Sequence, residues 1–471
     1  MIRTIHVLCF MLLVPLCMRG QEHEALVHWT AQSQSENDSV GATATIPQNT
    51  FRIGVNLQAR GEIRDGGFPR DPEASKPTDM SLFVNSRARL TLEYERPHFA
   101  MRISAQHTGI WGQENRGAFN LHEAWAKVTS KQGLFLQIGR QALSYDDERI
   151  IGMNDWTMAA NSHDALKLGY EGLGHKLHLI ATYNQNANAS TSGSTFFANG
   201  SQPHKTFQVV WYHYDAPWQT VPFGFSVLGM NIGMQGGEQG VNEHMEWQQL
   251  VGAYVQCCPK YCTFEASYYH QFGYTEQHAP INAFMASARA QVQPADLYGF
   301  TAGYDYLSGD DYLVLRGSSQ MGLPRHEIIK GFNPIYGSHH KFYGMMDFFY
   351  ISAYMDGFSP GLQNAYAGCF VNPVKGLHLS ATYHYMAMTA HLKDREGTPI
   401  DQTLGHMAEI EISYNILKDF KIAGGFSYMG GSNTLQRLKQ ASSDGRLLWG
   451  WISLVATPVI FEGQWFDKKK K

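Results

Sequence analysis

Arginine and glutamate recur at every second position along several segments of this chain. Arg87 and Arg89 share a face with Asn85, Glu93 and Glu95. Arg102 shares one with Ser104 and Gln106, and Arg289 with Ser287 and Gln291. Glu409, Glu411 and Ser413 alternate with Ile410, Ile412 and Tyr414. Two chemistries suit such faces. One is a ladder of ion pairs that stiffens a wall. The other is recognition of an anionic solute, because the guanidinium group is planar, permanently charged and matched to a carboxylate by two parallel hydrogen bonds. Neither needs a cofactor or a metal, and none is expected.

Other motifs carry less. Gly357 to Gly361 spells Gly-x-Ser-x-Gly. Pro360 follows Ser359 and lacks the N–H that an oxyanion hole needs, so no nucleophile elbow is expected. Asp146-Asp147-Glu148 lacks the rest of a calcium loop and reads as an acidic turn or a partner for Arg149. The 21 histidines show no HExxH spacing, and His204, His339 and His340 read as loop residues. Cys257, Cys258 and Cys262 lack the paired spacing of a zinc site. A disulfide across that short turn and free thiols are both open readings.

The elements that position these charges follow from periodicity. In FRIGVNLQARGEIR, Phe51, Ile53, Val55, Leu57, Ala59 and Ile63 fall on one face. Arg52, Asn56, Gln58, Arg60, Glu62 and Arg64 fall on the other. That is the two-residue period of a strand. Eighteen such segments run from 51–64 to 446–457, joined alternately by short turns and longer polar links. An apolar stretch at Lys341 to Tyr354 resembles a nineteenth, but an odd count would put the two termini on opposite sides. The expected fold is therefore all-β: a transmembrane antiparallel barrel of 51–457, with apolar residues to lipid, charges around a wet lumen, short periplasmic turns and long external loops. The link 308–361 is read as one external loop that can fold into the mouth. Residues 458–471 are read as a periplasmic tail.

Composition agrees. Hydrophobic residues make up 44% and mean hydropathy is −0.30, with no apolar run of 18 residues beyond the N-terminus, which argues against a helical membrane protein. A net charge of −4 gives no reason to expect a nucleic-acid partner. Arg3, the apolar run Val7 to Met18 and Gly20 before Gln21 read as a secretory signal over 1–20, with a polar lead-in over 21–50. Bulky Leu16 before Cys17 argues against lipidation.

Two longer stretches resemble a known family. GRQALSYDDERIIG (139–152), followed by Asn154-Asp155-Trp156 and Ser162 to Leu166, is similar to the signature of the alginate-export barrel family. So is FNPIYGSHHKFYGMMD (332–347), closed by Asp347 and followed by Leu377 to His384. The resemblance implies a single-chain barrel of the bacterial outer membrane with an electropositive constriction. It would pass alginate-like polysaccharide or smaller acidic sugars and solutes. The expected partners are outer-membrane lipid, the barrel-assembly machinery and the solute, and the expected state is a monomer. Carried over by motif, Arg140, Gln141, Tyr145, Asp147, Arg149 and Asp164 would shape the pore wall and its loop. The chain departs from the family pattern at Asp146, where glycine is usual, at Asn161, where arginine is usual, and at His163, where an aromatic ring is usual. The full set expected to line the lumen is Arg52, Arg60, Arg87, Arg89, Arg102, Arg140, Arg149, Arg289, Glu93, Glu409 and Glu411. The competing reading is a plugged scaffold or adhesion barrel, or a hydrolase working at the rim.

Overall fold

The computed structural model describes residues 49–65, 80–112, 117–186, 189–197, 203–216, 221–311, 328–349, 359–394, 396–439 and 446–466. The signal segment and nearly all of the lead-in lie outside them. The strands on the first half of the wall are β1 (Asn49–Asp65), β2 (Ser81–Arg96), β3 (Phe99–Ile110), β4 (Ala118–Thr129), β5 (Leu134–Gln141), β6 (His163–Gly172), β7 (His175–Tyr183), β8 (Thr206–Ala216) and β9 (Phe223–Gly236). The second half holds β10 (His244–Cys257), β11 (Cys262–Tyr274), β12 (Pro280–Ala295), β13 (Tyr298–Leu307), β14 (Leu362–Val371), β15 (Leu377–Ala387), β16 (Thr403–Leu417), β17 (Phe420–Gly431) and β18 (Arg446–Ala456). Each strand pairs antiparallel with the next, and β18 pairs back onto β1 through Leu57↔Ala456 to Asp65↔Leu448. The sheet is thus a closed barrel of eighteen strands, which leaves no open edge.

A further segment, β19 (Val459–Trp465), corrects the expected periplasmic tail. It runs on from β18 along β1, where Gly54 faces Val459 in the same register that puts Leu57 opposite Ala456. Pro458 between them has no N–H to give the ladder, which is why a reading from sequence stops there. Its carbonyl still accepts from the Val55 amide at 3.0 Å.

Links at one end are short, such as 97–98, 173–174, 296–297 and 418–419. Those at the other end include 142–162, 184–205, 308–361 and 388–402. Among the described residues no strand crosses between β13 and β14, so the apolar stretch from Lys341 is part of a loop.

The outward face is apolar: Leu134, Leu136, Ile138, Leu166, Leu168 and Leu179 all stand exposed there, as residues turned to lipid do. The inward face divides. Toward the long-loop end it is apolar, and Phe207, Leu228, Ile232, Leu250, Met285 and Met386 pack against Leu143, Ile150, Ile151, Phe332, Tyr336 and Phe348 of the loops 142–162 and 308–361. The two loops join by a parallel bridge of Ile151 to Tyr336 and by Gly152 N to Tyr336 O at 2.8 Å. Both loops therefore fold into the barrel mouth and share one core with its wall.

Candidate functional site

The arginines of β1 to β3 form a single inward wall, because the register sets Gln58 opposite Arg87 and Asn56 opposite Arg89. Arg87 is wholly buried and meets Asp155 of loop 142–162 through two bonds, Nη1 to Oδ1 at 2.8 Å and Nη2 to Oδ2 at 3.2 Å. Arg89 reaches the same carboxylate at 3.4 Å and donates to Gln106 at 2.8 Å. Arg60 is buried between Glu62, at 3.0 Å, and the Trp156 carbonyl, at 2.8 Å. Its guanidinium lies 3.8 Å from the Trp156 ring centre, and His340 of loop 308–361 stacks on the other face at 3.7 Å. Three of the expected lumen arginines are thus occupied by the tip of one loop, Asp155 and Trp156.

Toward the short-turn end the inward charges keep part of their surface exposed. Arg102 bridges Glu93 at 2.5 Å and Glu123 at 3.1 Å, with 23% of its side chain exposed. Arg52 bridges Glu93 at 3.4 Å and Glu462 at 3.2 Å, with 42% exposed. Across the barrel, Arg289 lies 3.5 Å from Glu265 and donates to Gln291 at 3.0 Å, with 30% exposed. Glu265 also accepts from Tyr254 at 2.8 Å. Glu409 faces inward but is spent on the Met345 amide at 2.5 Å and stands 3.3 Å from His384. Glu411 is on the same inward row.

The residues carried over by motif divide between two sides of the wall. Arg140 and Asp164 form a pair of bonds, 2.9 and 2.7 Å, on the outward face, since they alternate with inward Gln141, His163 and Ala165. Arg140 is therefore not a pore-lining residue. The arginine follows Gly139, whose φ of +119° marks a local break in β5 that a reading by family motif does not capture. Gln141 points inward and ties down the Gly139 and Ala165 carbonyls. The Tyr145 hydroxyl meets His178 at 3.0 Å.

Arg149 also departs from its expected role. It is buried in the loop core, 2.8 Å from Asp305 and 2.9 Å from Asp147, with its guanidinium 3.9 Å from the Phe342 ring centre. Burial works against its charge, but the Asp305, Tyr343 and Asp147 oxygens around it raise its pKa well above the usual arginine value. It anchors the loops to β13 instead of facing solute. Burial lifts the neighbouring Asp147 carboxyl to about 6 against the pull of Arg149. Glu148 is buried too, but Lys341 of the other loop holds it below the usual carboxylate range. Asp146 accepts from Trp211 at 3.0 Å, and Asp347 accepts from His340 at 3.0 Å.

The motifs set aside remain so. Ser359 Oγ accepts from the Gly361 amide, and the chain then enters a strand and not a helix, with Gly357 and Phe358 outside the described residues. Cys257, Cys258, Cys262 and Cys369 are free thiols. Sequence reasoning missed Asp155, Trp156, Glu123, Glu265 and Asp305 as site residues. Asp155 and Trp156 stand inside the quoted motif, and the signal was their place at a loop tip between two predicted strands.

A closed eighteen-stranded barrel with an apolar outer face is the architecture of an outer-membrane channel for solutes. The chain belongs to the alginate export family, whose model matches residues 25–389. No curated protein sequence matches it. Among solved structures it is similar to Pseudomonas aeruginosa OpdL, at 11% identity and a TM-score of 0.57 over 87% of this chain and 99% of that one. It is similar at 11% identity to a BenF-like porin from Pseudomonas fluorescens Pf-5, with a TM-score of 0.56 over 87% and 99%. Pseudomonas aeruginosa OccK2 (OpdF) in complex with glucuronate matches at 11% identity and a TM-score of 0.56 over 87% and 98%. At such identities the likeness is one of fold.

Proposed function

We propose that this channel passes acidic saccharides, alginate-like uronate chains or smaller acidic sugars, down their gradient. The observation that carries the reading is the pair of lumen-exposed arginine sites half-way round the barrel from each other, Arg52 with Arg102 on one wall and Arg289 on the other. Each guanidinium is held by glutamates yet keeps part of its surface free for a passing carboxylate. Weak, shared contacts suit transport, since a permeant must leave as well as enter. Family membership supports the polymer class, and the glucuronate held by the OccK2 barrel is a uronate of the same chemistry. The loop tip at Asp155 sets a fixed carboxylate against Arg87 and Arg89, so solute contacts fall on the arginines nearer the periplasm. Passage needs no catalyst and no cofactor.

The test is swelling of proteoliposomes in iso-osmotic glucuronate, short oligomannuronate and neutral glucose. Faster swelling in the acidic sugars supports the reading. Equal rates in all three remove the anionic preference. No swelling in any of them favours the plugged scaffold.

A further inference from the structure

On the inward face of the wall, Arg52, Arg102, Arg289 and Lys176 each bridge to a carboxylate. Two inward lysines do not. The register sets Lys127 of β4 opposite Gln137 of β5, and Gln137 opposite Lys167 of β6, so the three side chains stand in one row. They point inward, because Val128, Leu136, Ile138, Leu166 and Leu168 alternate with them on the exposed outer face. Among the described residues none of the three makes an ion pair or a side-chain hydrogen bond. Both lysines are half-buried, and Gln137 is only 8% exposed.

An aromatic ring holds the two ammoniums near each other. Phe135 is one row nearer the short turns, with Lys127 Nζ 4.1 Å and Lys167 Nζ 5.6 Å from its ring centre. The ring leans over Gly169, where a Cβ would come within 2.4 Å of it, and meets His178 edge-on at 5.2 Å. Attraction to the ring positions both cations before any solute arrives. One carboxylate is close. Glu171, two inward positions along β6 from Lys167, acts on both lysines electrostatically. Its bond goes to His178 at 3.0 Å instead, and 45% of its side chain is exposed. The row thus carries two positive charges against one shared negative charge. Like charges held together repel, and a second carboxylate relieves the repulsion.

We propose that Lys127, Gln137 and Lys167 form a carboxylate subsite of the channel, filled by a uronate group of the passing saccharide. The inference rests on the reading of the permeant above and gives it a further station. Arg102 faces Trp125, the inward neighbour of Lys127 on β4, so the row continues the arginine wall round to β6. The donor set selects the occupant. Two ammoniums offer point charges, and the Gln137 amide adds a donor between them, so the two oxygens of a carboxylate accept from both sides. A neutral sugar leaves the charge unbalanced. Lysine lacks the bidentate grip of arginine, which suits a station that must release its solute.

The test titrates the purified full chain in detergent with glucuronate, read from broadening of the glucuronate proton resonances. The wild type should bind glucuronate and leave glucose sharp. Lys127→Gln with Lys167→Gln should raise the half-saturating concentration about tenfold or more. Lys127→Arg with Lys167→Arg should return it to within about threefold of wild type. Lys176→Gln removes the same charge from a lysine already bonded to Asp215, and should change it by less than about twofold. Heat-modifiable migration on gels confirms that each variant is folded. Three results overturn the proposal: no binding by the wild type, binding indifferent to the two glutamines, or an equal loss in Lys176→Gln. Displacement of glucuronate by an equal concentration of chloride would also overturn it, by assigning the row to small anions. Proteoliposome swelling separates this subsite from the reading it rests on. Lysine-dependent binding with equal swelling in glucuronate and glucose would remove the preference in passage and keep the subsite. Preferential swelling with binding indifferent to the lysines would do the reverse.

Discussion

Asp155 places its carboxylate across the guanidinium of Arg87 with two bonds of 2.8 and 3.2 Å, and the arginine side chain has no exposure to solvent. One residue of a loop thereby neutralises a charge of the wall and pins the loop in the mouth. Asp155→Ala should release both. An uncompensated buried charge costs about 3–5 kcal/mol, so the loop tip should leave its seat instead of keeping it. The expected outcome is larger single-channel conductance and a stronger anion preference at about 0.1 M salt, fading at about 1 M as screening takes over. Unchanged currents would mean that the loop does not restrict the path.

Trp156 is held between Arg60 and His340, at 3.8 and 3.7 Å from its ring centre. It therefore ties both loops to β1. Trp156 is partly buried against the core, so its removal costs at most the roughly 3–5 kcal/mol of a fully buried aromatic ring. Trp156→Ala should leave the strand content unchanged by circular dichroism while lowering the temperature of heat-modification on gels and raising open-channel noise.

Arg102 and Arg140 separate lumen from lipid. If the proposed path holds, Arg102→Ala should shift the zero-current potential toward cation preference, because its guanidinium stays partly exposed between Glu93 and Glu123. Arg140→Ala should leave it where it was, since the Arg140–Asp164 pair is on the outer face. Heat-modifiable migration on gels checks that the barrel assembles once Asp164 has lost its partner. Equal shifts in the two variants would reverse the assignment of faces.

The adjacent carboxylates of loop 142–162 should titrate in opposite senses. Burial lifts Asp147 to about 6, above its value of about 3.9 in an unfolded chain. Between those values the folded loop keeps a proton that the unfolded chain has released, so stability falls as pH rises from about 4 to about 6 and is level above. Glu148 is also buried, but Lys341 holds it low. Its contribution is complete above about pH 4.5 and is lost as pH falls through the folded value. Denaturation temperature against pH should show both limbs. Asp147→Asn should flatten the descent toward pH 6, and Glu148→Gln the loss in acid.

The wall was far more legible than the site. A two-residue period survives any lumen content, because lipid demands an apolar outer face at every strand, as in Leu134, Leu136 and Ile138. Parity also served, since Lys341 onward is apolar enough for a strand yet packs in the mouth through Phe348 and Phe349. Pro458 misled in the other direction, hiding β19 because only one partner strand needs its N–H. The site resisted because periodicity gives the face of a residue and not its partner. Arg87 and Arg102 read alike along their strands, but one meets Asp155 from a loop far along the chain and the other meets Glu93 and Glu123. Arg140 was misplaced for a different reason: a family motif carries roles but not the alternation of the strand that bears it.

The central claim is an aqueous path whose exposed arginines favour anions. The direct measurement is the zero-current potential of the purified wild-type chain in a planar bilayer under a tenfold KCl gradient. The account predicts a potential of the sign set by chloride, reduced by added glucuronate in competition for the same arginines. A potential of the potassium sign, or a barrel that conducts nothing at any voltage, would contradict it.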